Sequence, residues 1–149
     1  ELKLDRIEKL IRFYGDGRDG TAPTAAQWER LNLYRGQGNV TLVNFFKLRD
    51  RAHYARGSTD GNSISGEQAF ARYADVSVPS VEKVGGRFLL LGSCDATLFG
   101  EEEDWDIIAV GTYPDAEAVF QLFEDSAYQG VAMHRTAALS NQKVFISTA

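Results

Sequence analysis

From Leu4 to Tyr14, apolar residues recur every three or four positions through Ile7, Leu10 and Ile11, with Lys3, Glu8, Lys9 and Arg12 between them. That spacing predicts an amphipathic helix, ended by the turn residues at 15–20. Thr24 followed by Gln27 predicts a capping box, opening a second helix with Trp28, Leu31 and Tyr34 that Gly36 and Gly38 stop. At Val40 the pattern changes to a run of β-branched and aromatic residues through Leu48, which predicts a strand. A long polar stretch, 49–64, follows. Ser65 with Gln68 then opens a helix bearing Ala69, Phe70, Tyr73, Val76 and Val78, kinked at Pro79 and stopped by Gly85 and Gly86. Further strands are predicted at 87–93, 105–113 and 143–147. A helix opened by Pro114 and Asp115 and a short one led by a Ser126–Gln129 capping box lie between the last two.

This order is β-α-β-β-α-β with an extra helical turn before the last strand, which is the ferredoxin-like motif: an α+β fold with a four-stranded, mostly antiparallel sheet. Residues 1–38 stand outside it and are read as an N-terminal helical extension, with the domain proper at 39–149. The strands are apolar on both sides. Leu42, Phe46 and Leu48 share one face of the first strand with Asn44, while Val43 and Phe45 share the other; Ile107 and Ala109 oppose Ile108 and Val110 in the third. Helices cover one face. A second copy of the chain is the economical cover for the other, so a homodimer is expected.

Composition adds mainly exclusions. With 149 residues, 44% hydrophobic and 25% charged, the chain has enough apolar material for one core and is not disordered over its length. The net charge of −5 argues against a broad nucleic-acid surface. No apolar stretch approaches the ~20 residues that span a bilayer, and residues 1–14 lack the apolar centre of a signal peptide, so a cytoplasmic protein with no membrane partner is expected. One cysteine, Cys94, makes no internal disulfide, and two histidines, His53 and His134, make no multi-histidine metal centre. Neither a metal nor any other cofactor is expected. Gly85-Gly86 lacks the spacing and lysine of a phosphate loop.

The chemistry-bearing candidates are few. Asn44 is an amide in an apolar strand and must find a partner, in a neighbouring loop or on a ligand. His134 and Arg135 are adjacent on a helix, so their side chains diverge by about 100°. Arginine is the better anchor for a carboxylate because its planar fork grips both oxygens; the alternative is an ion pair with Asp106 or a bond to a carbonyl at a helix end. Arg87 begins a strand, and Asp106 is a general base only if buried. Arg49, Arg51, His53, Tyr54 and Arg56 form a basic-aromatic cluster in a stretch long enough to be a lid or an anion-receiving loop, or else a solvated one.

With that strand order, the chain resembles the dimeric α/β-barrel superfamily, and within it the bacterial domain-of-unknown-function family thirteen-thirty, over roughly residues 39–149. The resemblance is carried by Val43-Asn44-Phe45-Phe46-Lys47-Leu48-Arg49, Gly66-Glu67-Gln68-Ala69-Phe70-Ala71-Arg72-Tyr73 and Gly85-Gly86-Arg87-Phe88, and then by Trp105-Asp106, Tyr113-Pro114, Tyr128-Gln129 and His134-Arg135. It implies the fold and a dimer but no mechanism; the wider superfamily includes monooxygenases, isomerases and haem-handling enzymes. Two functional readings remain. One is a small-molecule binder or cofactor-independent enzyme with a pocket between sheet and helices near the barrel opening. Asn44, Arg87, Asp106, His134 and Arg135 supply its polar groups, Phe46, Tyr73 and Trp105 its walls, and an anionic or aromatic compound its ligand. The other is a non-catalytic dimerisation or regulatory module.

Overall fold

The computed structural model describes residues 5–55 and 63–148. Its elements are α1 (Arg6–Tyr14), α2 (Ala25–Asn32), β1 (Val40–Leu48), α3 (Gly66–Lys83), β2 (Arg87–Ser93), β3 (Ile107–Tyr113), α4 (Ala116–Glu124), α5 (Ser126–Ala138) and β4 (Leu139–Ser147). The strands form one sheet in the order β2-β3-β1-β4, and all three pairings are antiparallel. The fold is ferredoxin-like α+β.

Both predicted capping boxes at Thr24 and Ser65 are present, each side-chain oxygen accepting from the backbone N–H three residues on. The third is corrected. Asp125, not Ser126, caps α5; its carboxylate accepts from Tyr128 N at 3.1 Å while it also ends α4, so one residue joins the two helices. The predicted short helix before the last strand is a full 13-residue helix. It runs straight into β4, which begins four residues earlier than expected because Ser140, Asn141 and Gln142 lie on an edge strand and read as loop. β3 starts at Ile107, so Trp105 and Asp106 precede it. Helix α3 passes through Pro79 without ending.

Even positions of β1 face the helices. Val40, Leu42 and Phe46 are buried, together with Ala109 and Tyr113 of β3. Leu10 of α1 and Trp28 and Leu31 of α2 belong to the same apolar cluster as Val40, Leu42, Tyr73, Val119, Phe120 and Tyr128. The N-terminal helices are thus packed into the core. Arg6 reinforces the junction: its guanidinium bonds Glu117 and Glu124 of α4 and lies 4.8 Å over the Phe120 ring. A second cluster gathers Phe46, Ala52, Tyr54, Ala69, Ala109 and Leu139. Here Gly66 is required, because a Cβ would sit 2.0 Å from the Arg49 carbonyl oxygen. Of the 49–64 stretch, Ala52 and Tyr54 are buried, and His53 N donates to Ala137 O at 2.8 Å. Residues 56–62 of the suggested lid, Arg56 among them, lie outside the described residues.

The other sheet face has no cover among the described residues. Its register sets Val43 between Val110 and Phe145, and Phe45 between Ile108 and Lys143, with Leu90 beside Val110. Leu90 and Phe145 are 48% and 52% exposed.

Candidate functional site

Four elements converge on the helix-covered side of the sheet. β1 contributes Asn44 and Phe46, α3 contributes Tyr73, α5 contributes Tyr128 and Arg135, and β4 contributes Gln142. Tyr128 and Arg135 are seven residues apart, two turns, and so share a face of α5. Arg135 Nε donates to Gln142 Oε1 at 2.9 Å and Nη1 donates to the Tyr73 hydroxyl at 3.1 Å. The Tyr73 and Tyr128 hydroxyls are 2.6 Å apart. The guanidinium carbon lies 5.0 Å from the centre of the Phe46 ring and 5.6 Å from that of Tyr73. Among the described residues, no carboxylate stands within ion-pair distance of Arg135. A cation withdrawn from water is normally paired; this half-buried one is met, among the described residues, by neutral oxygens and ring faces.

Burial opposes the Arg135 charge, but the nearby Tyr73 and Tyr128 oxygens outweigh it and its pKa stays above the ordinary arginine value. Burial likewise pushes the Tyr128 hydroxyl well above the usual tyrosine range, assisted by the neighbouring Tyr73 oxygen, and burial raises Tyr14 and Tyr113 as well. These phenols are neutral donors at physiological pH. Asn44 Nδ2 donates to the carbonyl of Ala109, its partner across the sheet, at 3.0 Å. The structural reading of this amide is therefore met by a neighbouring strand.

Arg135, Tyr128, Asn44, Leu42 and Phe123 separate two spaces and line both. One is an interior cavity of about 60 Å³ under α3. The other is a cleft of about 560 Å³ between β4 and α5 on one side and α1, α2 and their connection on the other. Its lining includes Arg30, Arg135 and Lys143 but no aspartate or glutamate, in a chain of net charge −5. Trp28, also in this wall, has a buried indole N–H with no hydrogen-bond partner among the described residues.

A larger depression of about 990 Å³ lies beyond the end of β1, among Lys47, Arg49, Arg51, Glu67 and Asp106. Size does not make it the better site. It is open to solvent; Lys47 Nζ pairs with Asp104 at 3.0 Å and Asp106 at 3.3 Å, while Arg49 Nε and Arg51 donate to the Leu139 and Ser63 carbonyls. No group of three or more His, Cys, Asp or Glu placed to hold a metal occurs among the described residues, and no helix there is long and apolar enough to cross a membrane.

Of the predicted site residues, Asn44, Phe46, Tyr73 and Arg135 come together. The other four do not. Arg87 is exposed at the start of the edge strand opposite Thr112. Trp105 lies toward the uncovered sheet face, its ring 5.9 Å from Phe45, and Nε1 donates to Glu103 at 2.9 Å. Asp106 accepts from Leu48 N at 2.7 Å and pairs with Lys47, which rules out the alternative ion pair with Arg135. His134 turns away from Arg135 as the helical spacing requires, and its Nδ1 is 2.7 Å from the Tyr54 hydroxyl. Gln142 and the N-terminal wall were missed. Gln142 carried no signal in a polar edge segment, whereas the polar-tipped aromatics Tyr14 and Tyr128 on apolar helix faces were one.

Solved structures with this fold include the RPA0582 protein of Rhodopseudomonas palustris, described as of unknown function. One crystal structure of it, in methylated form, is 27% identical with a TM-score of 0.77, covering 87% of this chain and 93% of that one. A second, 26% identical with a TM-score of 0.75, covers 85% and 94%. That reach is longer than residues 39–149, so the match extends into the N-terminal helices. A Caulobacter crescentus CB15 protein provisionally classed as an antibiotic biosynthesis monooxygenase is 14% identical with a TM-score of 0.46, covering 81% and 97%. No curated protein matches the chain. The model of one family matches residues 61–149, more than half of the chain, and the protein belongs to that family, described as a domain of unknown function, DUF1330.

Proposed function

We propose that the protein binds a small organic anion, a carboxylate or enolate, between sheet and helices, with Arg135 as its anchor. The observation that carries this reading is a half-buried guanidinium that has no carboxylate partner among the described residues and forms part of the wall of two cavities. Phe46 and Tyr73 flank it, Gln142 and Tyr73 each accept a hydrogen bond from it, and Tyr128 is a further polar neighbour, so an anion would join a site already lined with polar groups. The Tyr73–Tyr128 pair supplies hydroxyls beside it, suited to hydrogen-bonding the same oxygen or to handing it a proton. The uncovered apolar face supports the second part of the proposal, a homodimer formed through the sheet.

The test is calorimetric titration with benzoate of the unaltered protein, Arg135→Lys and Arg135→Gln, with melting temperatures measured alongside. Lysine keeps the charge but loses the fork, so Arg135→Lys should fold and bind about 1–3 kcal/mol more weakly, the scale of hydrogen bonds to charged groups. Arg135→Gln should not bind. Equal affinity in all three proteins would remove Arg135 from the site.

A further inference from the structure

We infer that the ligand is an amphipathic monocarboxylate: its head sits on Arg135 and an extended apolar body lies in the cleft between the N-terminal helices and β4. This rests on the anion site proposed above and adds the ligand's class and its second contact surface. Volume decides the direction of the body. The interior cavity of about 60 Å³ has room for one or two waters, whose share of liquid volume is about 30 Å³ each. The cleft, about 560 Å³, is in the range of roughly 300–1,000 Å³ usual for small-molecule pockets. Its walls are apolar where a chain or ring would lie: Trp28 and Leu31 from α2, Val119 and Phe123 from α4, and Leu42 and Ile146 from the sheet. Charge decides the head. The cleft lining has three cations and no acid, and the most buried of them, Arg135, is at the partition with the interior. The unpartnered Trp28 N–H adds a donor in the same wall. A dicarboxylate or polyol would meet apolar surface along most of this space, and an uncharged apolar compound would leave Arg135 unmatched. The N-terminal helices are therefore half of the binding site.

The experiment titrates the whole chain with butanoate, hexanoate, octanoate and 1-octanol by calorimetry. Fluorescence is followed in a Trp105→Phe background, where Trp28 is the sole remaining tryptophan of the two. Affinity should rise about 4-fold for each methylene buried, the Trp28 signal should change on binding, and 1-octanol should bind far more weakly than octanoate. Thr136→Phe, at an exposed α5 position lining the cleft, should weaken octanoate at least about tenfold by occupying the body's space, with butanoate affinity and melting temperature unchanged. Arg135-dependent binding with no gain along the series, or a gain indifferent to Thr136→Phe, overturns this inference while the anion site stands. Absence of Arg135-dependent binding at every chain length overturns both.

Discussion

At the scale of single residues, the site depends on hydroxyls as much as on the arginine. Tyr73 is the link: its oxygen accepts a hydrogen bond from Arg135 and is hydrogen-bonded to Tyr128, a residue only 3% exposed. Tyr73→Phe keeps the ring that flanks the guanidinium but strands a buried hydroxyl and an arginine proton. The expected loss is about 1–3 kcal/mol, the desolvation cost of unmet polar groups, read from urea denaturation. An unchanged midpoint would mean that water replaces the oxygen and that the network adds nothing to stability. The divergence of His134 from Arg135 was legible in their adjacency. The absence of a carboxylate at Arg135 was not, because Asp106 is 29 positions away in sequence and only strand register shows it committed to Lys47 and the Leu48 amide.

Between elements, α1 is fastened to α4 by Arg6, whose partners Glu117 and Glu124 lie on the face nearest it. The hydrogen bond from Arg6 holds the Glu117 carboxyl below the ordinary glutamate range, with the charges of Arg6 and Arg35 adding to it against a smaller effect of burial. A depressed carboxylate stabilises the fold above its unfolded pKa, and that contribution is lost as pH falls through the folded value. Glu117→Gln should therefore cost about 0.5–1 kcal/mol at neutral pH, and the deficit should close as pH drops below about 4. Urea midpoints of both proteins across that range check it; a constant deficit would show that something other than the charge was removed. The elements themselves were read from local signals, and the misplacements have local causes. Asp125 outcompeted Ser126 as a cap because a carboxylate also meets Lys83, at 2.7 Å, while polar residues on an edge strand disguised the start of β4.

For the whole molecule, the uncovered sheet face is the feature on which the proposed homodimer rests. Phe45 stacks edge-on with Phe145 at 6.3 Å, and Leu90, Ile108 and Val110 extend the apolar surface toward the opposite edge. If a second copy covers it, light scattering should return twice the chain mass of 16.5 kDa. Phe145→Glu, at a half-exposed edge position, should then shift the protein toward monomer with its helix and sheet content intact. A mass of 16.5 kDa for the unaltered chain would remove the dimer.

What the sequence determined by itself is what depends on neighbours in the chain. Helix and strand periods, Thr24 and Ser65 as caps, the β-α-β-β-α-β order and the apolar character of both strand faces all arise from residues a few positions apart. Arg135 was already marked by the chemistry of its side chain and by Tyr128 two turns before it. Only tertiary structure decided which candidates meet. Sheet order brings β4 beside β1, so Gln142 reaches Arg135, while the same register sends Arg87, Trp105 and Asp106 elsewhere. Packing of α1 and α2 onto α4 turns an apparent extension into a cleft wall, placing Trp28 across from Ile146. Side-chain chemistry is local, but whether a buried charge is paired or available depends on which distant segments packing brings within a few ångströms of it.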